Sequence, residues 1–173
     1  MGKKVISFKL NTQEINRAIR EVEQYKQELL RKEKLLLEKL AMIGVQEASV
    51  RFTTALYDGV NDVTVSLDSN GKGYSIVADG NAVAFIEFGT GVYHNTSEPY
   101  PNPRPEGIVG IGEYGQGKGK RRAWFYKGEP GTNGEVQKNG VVKTRGNPAN
   151  MPMWYASEEM RRSILQIARE VFG

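Results

Sequence analysis

Gly110-Ile111-Gly112-Glu113-Tyr114-Gly115 has the glycine spacing of a dinucleotide-binding loop, whose bare backbone approaches a pyrophosphate held at a helix N-terminus. The fingerprint has to open a helix, and Gln116-Gly117-Lys118-Gly119 follows it, too rich in glycine to form one. The same stretch comes close to a phosphate-binding P-loop. It runs from Gly112 through four residues to Gly117-Lys118, but Gly119 stands where a serine or threonine must hold magnesium. Neither nucleotide-binding reading survives its context.

His94 could shuttle a proton if Ser97, Glu87 or Asp79 were placed beside it, since an imidazole titrates near neutrality. It is the one histidine of the chain and lies in a glycine- and proline-rich stretch, where a surface role is the expected one. Glu87 lacks a partner at the spacing that paired-carboxylate chemistry requires. With no cysteine at all, thiol nucleophiles, thiolate metal sites and disulfides drop out. The sequence therefore predicts no catalytic, cofactor-binding or metal-ligating set, and no small-molecule substrate. Lys118, Lys120, Arg121 and Arg122, followed by Trp124, Phe125 and Tyr126, form the one stretch with the composition that grips phosphates and stacks on bases. The other reading of that stretch is a charged hairpin edge with alternate aromatics buried.

These residues must be carried by regular elements. Asn11-Thr12-Gln13-Glu14 reads as a capping box opening a long helical region over residues 10–57. Ile15, Ile19, Val22, Leu29, Leu36, Leu40 and Ile43 recur at helical spacing and predict one buried face. The charge density of Tyr25 to Lys34 is where a break into a short and a longer piece is expected, and Asp58-Gly59 is expected to end the second piece after Tyr57. From Asp62 the period becomes two. Val63, Val65 and Leu67, then Tyr74, Ile76 and Ala78, read as an antiparallel hairpin across Ser69 to Gly73, with Asn-Gly supplying positive φ angles. Ala82 to Phe88 fits a buried strand or a short helix, and the helix is preferred. Residues 92–147 form a long insertion, in which Ala123 to Tyr126 and Val141 to Thr144 read as a second hairpin with a mobile tip. A final helix is expected from Met153 to Phe172, packed on the sheet. The fold class is α+β in a single domain of 173 residues.

Composition adds bounds. The chain is 39% hydrophobic and 25% charged, ordinary for a folded domain. Its net charge of +4 is distributed in blocks of +4 (1–57), −4 (58–91), +4 (92–150) and 0 (151–173). Such alternation suits surfaces that meet oppositely charged neighbours, copies of itself included. The first residues lack the apolar core of a signal peptide and no apolar run has membrane-spanning length, so a cytoplasmic protein without membrane contact is expected.

Two segments carry a resemblance. Ala84-Phe85-Ile86-Glu87-Phe88-Gly89-Thr90-Gly91 and Gly146-Asn147-Pro148-Ala149-Asn150-Met151-Pro152-Met153-Trp154-Tyr155-Ala156 stand between a long amphipathic helix and a helix ending in ARxVF. In this order they resemble the tail-completion (head-tail joining, neck) proteins of tailed bacteriophages and prophages. Trp124 to Tyr126 and Val142-Lys143-Thr144 look like the hairpin that several members insert between the boxes. Asn150-Met151-Pro152-Met153 departs from the family's usual last box, which has an aromatic residue or arginine near the second proline, and the insertion from Val92 to Arg145 is long. The resemblance implies a non-enzymatic virion or tail-like-particle component assembled in the host bacterial cytoplasm. It implies a homo-oligomeric ring contacting tail-terminator, tail-tube and head-connector proteins, with Lys118 to Arg122 facing either DNA in the lumen or an acidic neighbour. The boxes imply a structural motif of Glu87, Phe88, Gly89, Thr90, Gly91, Gly146, Pro148, Ala149, Pro152 and Trp154. In it, Glu87 is expected to accept hydrogen bonds from its own glycine turn, the prolines to set the angle of the last helix, and Trp154 to be a large buried anchor. The rival class is a nucleic-acid-binding accessory protein acting through the basic-aromatic hairpin 118–126.

Overall fold

The computed structural model describes residues 5–7, 9–71, 73–90, 123–132 and 134–173. Its first element is one unbroken helix, α1 (Thr12–Thr53), 42 residues or roughly 63 Å long. Asn11 caps it as the sequence implies, its side chain accepting from the Glu14 N–H at 2.9 Å. The break expected between Tyr25 and Lys34 does not occur. Lysine, glutamate, glutamine and leucine are all strong helix formers, and their charges fall at mutually supporting spacings. Lys26 lies 3.9 Å from Glu23, Lys32 3.8 Å from Glu28, and Gln27 bonds Glu23 at 3.0 Å.

The helix also ends earlier than Tyr57. At Thr53 and Thr54 the hydroxyls turn back to the carbonyls of Ser49 and Val50 at 2.8 and 2.9 Å, and the Asn61 amide takes the Phe52 carbonyl at 2.7 Å. The next backbone N–H groups are claimed from elsewhere. Leu56 donates to Asn150 Oδ1 at 3.0 Å and Asp58 to Asn147 Oδ1 at 2.6 Å, so the chain cannot continue as helix.

β1 (Thr64–Ser69) and β2 (Tyr74–Asp79) pair antiparallel from Thr64↔Asp79 to Ser69↔Tyr74. The connection uses residues 70–73, in which Gly71 takes φ 79° while Asn70 serves as a cap, accepting from the Gly73 N–H at 3.0 Å. Only the glycine of the Asn-Gly pair needs the left-handed region. α2 (Val83–Phe88) is the short helix preferred for that segment. Asp62 fastens its start: one carboxylate oxygen accepts from the Asn81 N–H and amide at 2.9 and 2.8 Å, the other from the Ala82 N–H at 2.9 Å. These bonds hold the Asp62 carboxyl below its ordinary pKa. The folded state therefore favours the ionised form, and its contribution is present above about pH 4 and is lost as pH falls through the lowered value. Thermal unfolding from pH 7 to 2 is expected to show a shallower acid decline for Asp62→Asn than for the native chain.

The second hairpin gains a strand. β3 (Trp124–Tyr126), β4 (Glu135–Val136) and β5 (Val142–Thr144) form an antiparallel sheet of order β3-β5-β4. The connection expected as a mobile tip contributes β4 and is pinned upstream, where the Thr132 N–H donates to the Tyr57 carbonyl at 2.7 Å.

α3 (Pro152–Phe172) lies antiparallel along α1. Arg51 of α1 stacks 3.8 Å over the Tyr155 ring, Lys39 pairs with Glu170, and Lys32 stands 6.0 Å over the Phe172 ring. Over Gly44 of α1 the Ile76 and Met160 side chains close in so tightly that a Cβ there would collide with both, which joins α3 to β2 across α1. The core is Ala48, Phe52, Ala82, Ile86 and Ala156, with Val65 and Ala78 of the first sheet packed against it. This is an α+β fold: a long first helix, small antiparallel sheets and a closing helix.

One expectation fails at the other end of α1. Ile15, Ile19 and Val22 are 38%, 60% and 54% exposed, so the apolar stripe is a burial signal only from Leu29 onward. α3 ends beside Lys32, and α1 runs about five turns beyond it.

Candidate functional site

The two sequence boxes meet. Glu87, 3% exposed near the end of α2, places its carboxylate at the start of α3, where Oε2 accepts from the Met153 N–H at 2.8 Å and Oε1 from the Trp154 N–H at 3.1 Å. α3 has no side-chain cap of its own, because Met151 occupies the cap position and Pro152 the first turn. Glu87 supplies that cap from a distant segment, and its negative charge suits the positive end of the helix. The first N–H groups of the last helix are thus partners of Glu87, in a role the sequence reading did not assign to it.

The backbones are joined as well. Thr90 and Asn147 form a two-way bridge, N–H to carbonyl at 2.8 and 3.0 Å. Asn150 donates to the Ile86 carbonyl at 2.9 Å and Met151 to the Glu87 carbonyl at 3.3 Å. Gly89 lies between these strips with φ 71°, and a Cβ there would stand 2.6 Å from Ala149 N and 2.7 Å from the Asn147 carbonyl oxygen. Met151, buried at 5% exposure, sits in the left-handed region at φ 53° and ψ 42°. Proline at the next position bars it from the right-handed helical region, and its bonds to Glu87 and Tyr155 fix the alternative.

A third strip enters through asparagine side chains. Asn150 spans the seam, its Oδ1 accepting from Leu56 and its amide donating to the carbonyls of Leu56 and Pro148, both at 3.1 Å. Asn147 accepts from Asp58, whose buried carboxylate takes the Thr144 hydroxyl. That hydroxyl in turn accepts from the Gly146 N–H at 3.0 Å. Beside this network a cleft of about 240 Å³ is lined by Tyr57, Asp58, Thr90, Trp124, Tyr126 and Asn147. Burial pushes both phenols above their ordinary pKa, Tyr57 further under the charges of Asp62 and Asp58, Tyr126 under that of Asp58. They stay neutral at physiological pH and offer hydroxyls, not bases. Every buried side-chain nitrogen and oxygen among the described residues has a hydrogen-bond partner. Such an arrangement holds three stretches of backbone in one geometry.

No family model matches the chain, and no curated protein or solved structure is detectably similar to it.

Of the motif residues read from the sequence, Glu87, Phe88, Gly89, Thr90, Gly146, Pro148, Ala149, Pro152 and Trp154 belong to this seam. Gly91 lies outside the described residues, as do His94 and the basic stretch Lys118, Lys120, Arg121 and Arg122. Trp154 is not the expected deep anchor. It is half-buried, with its ring edge-on to Tyr155 at 4.8 Å, whereas Met151, Pro152 and Ala156 are the buried residues at this helix start. The sequence reading missed Asp58, Asn147, Asn150 and Met151 as seam residues. The one available signal was the pair of asparagines flanking Pro148-Ala149, a residue type that bonds backbone in irregular segments.

Among the described residues no group of three or more histidine, cysteine, aspartate or glutamate side chains converges as a metal site. No helix of the described residues is long and apolar enough to cross a membrane.

Proposed function

We propose that this protein is a structural, non-enzymatic component of the neck of a tailed-phage or tail-like particle, a tail-completion protein that forms a ring at the head-proximal end of the tail. The observation that carries the reading is the seam. The two boxes behind the family resemblance act on each other, one capping the helix that the other begins, and their polar atoms are spent on backbone. This is the economy of a scaffold. What the seam leaves free is surface: the exposed early turns of α1 and the faces beside α3 are available for copies of the chain and for tail-tube, tail-terminator and head-connector neighbours. DNA would pass through the lumen.

One observation favours a second reading. Phe125 is 61% exposed on the edge strand β3, just after Lys120 to Arg122 in the sequence, where an aromatic side chain can stack on a base. Light scattering across a range of salt, alone and with each particle partner, separates the two. A ring, alone or templated by a neighbour, is the expected result. A monomer with every partner that binds DNA with a steep log-salt slope would replace it with the nucleic-acid reading.

A further inference from the structure

Three Asn-Gly pairs occur in the sequence, at 70–71, 133–134 and 139–140, and each is open to the same uncatalysed chemistry. The glycine nitrogen, once deprotonated, attacks the asparagine Cγ. A C–N bond closes a five-membered imide, the Cγ–Nδ2 bond breaks, and the amide leaves as ammonia with the proton that the glycine gave up. Water then opens the ring at either carbonyl, giving aspartate or an isoaspartate whose backbone runs through one extra methylene. Glycine favours the attack because no Cβ crowds its nitrogen. A glycine N–H already donated to a carbonyl opposes it, since that bond has to break before the nitrogen can act.

Two of the pairs match in almost every respect. Asn70 and Asn139 are both exposed, one in the connection between β1 and β2 and the other in that between β4 and β5. Gly71 and Gly140 take φ 79° and 73°, and a Cβ on either would meet nothing within 4 Å. Each asparagine Oδ1 accepts from a backbone N–H shortly ahead of it, Asn70 from Gly73 at 3.0 Å and Asn139 from Val141 at 3.2 Å. The glycine nitrogens differ. The Gly140 N–H donates to the Gln137 carbonyl at 2.9 Å, whereas among the described residues nothing accepts from the Gly71 N–H. In the third pair Asn133 lies outside the described residues, but the Gly134 N–H donates to the Pro130 carbonyl at 2.9 Å. We infer that Asn70 is the site at which the folded chain loses a side-chain amide, and that the bonds of Gly134 and Gly140 protect the other two pairs. Conversion adds a carboxylate to the acidic segment 58–91. As isoaspartate it also lengthens the backbone between Ser69 and Tyr74, the last paired residues of the first hairpin.

The test incubates the full chain in mildly alkaline buffer, with and without denaturing urea, and follows each pair by peptide mapping that resolves asparagine, aspartate and isoaspartate. In the folded chain Asn70 is expected to convert about fivefold faster than Asn133 or Asn139, roughly the worth of one net hydrogen bond. In urea the three rates are expected to draw together, because glycine follows the asparagine in each pair. Asn70→Gln is expected to remove the fast phase of acidic charge gain seen by ion exchange and to leave only the slow one. A folded chain in which Asn133 or Asn139 converts as fast as Asn70, or in which none converts while all three do in urea, would overturn the assignment. A preference for Asn70 that persists undiminished in urea would overturn the part given to the turn bonds.

Discussion

Gly89→Ala is expected to lower the melting temperature by on the order of 10 °C, read as the loss of helical circular dichroism on heating. In most helices or turns the same change is neutral or favourable, because alanine leaves the unfolded chain less freedom. Here the sign reverses for two reasons that act together. Gly89 sits at φ 71° and ψ 173°, a region that side chains with a Cβ enter only at a cost of about 1–3 kcal/mol. The new methyl would also stand 2.6 to 2.9 Å from Ala149 N, Pro148 C and the Asn147 carbonyl oxygen. These are backbone atoms of the opposite strip, unable to swing aside as a side chain does. Relief requires opening the bridge between Thr90 and Asn147, so the total loss is expected at about 4 kcal/mol. A melting temperature within a degree of the native value would mean that the two boxes do not run this close.

Glu87→Ala is expected to cost about 3 kcal/mol. The substitution leaves the N–H groups of Met153 and Trp154 without their acceptors at a site where Glu87 is only 3% exposed, so water does not readily replace them. A buried donor left unsatisfied costs about 1–3 kcal/mol, and the favourable charge at the helix start goes with it. Glu87→Gln keeps one carbonyl acceptor of nearly the same shape and is expected to lose about 1 kcal/mol, which separates the hydrogen bonds from mere volume. Since Gly89 and Glu87 act on one seam, the double variant Gly89→Ala with Glu87→Ala is expected to lose less than the two single losses together. Chemical denaturation of all four proteins measures that coupling.

Periodicity and turn chemistry made most of this fold legible. The hairpin of β1 and β2, the short α2 and the last helix follow from alternation, glycine placement and a proline at a helix start. The long helix was legible in type and misread in extent at both places where charge or glycine was taken for punctuation. Ionic residues four apart support a helix, and Asp58-Gly59 lies beyond an end already made by Thr53 and Thr54. The exposed face of Ile15, Ile19 and Val22 could not be foreseen, because a stripe records what a helix can bury and not what covers it. The boxes were legible as a pair, but the bonds from the start of the last helix to Glu87 were not. Met153 and Trp154 lie 66 and 67 residues from Glu87, a distance over which no local rule operates.

The bridge between Thr90 and Asn147 also fixes what a change of chain length between them would cost. It staples together two points 57 residues apart and, with the Asn150 bonds, anchors them to the helical body. The closure of whatever lies between is thereby enforced at its base. Doubling or halving a flexible loop alters its closure cost by only about 0.6 kcal/mol, a fraction of what the seam residues are each expected to contribute. A change of length at a point between them that makes no bond to the body is therefore cheap beside what holds the two ends, whereas Thr132, Thr144 and Gly146, which bond Tyr57, Asp58 and Thr144 in turn, are tied to the body itself.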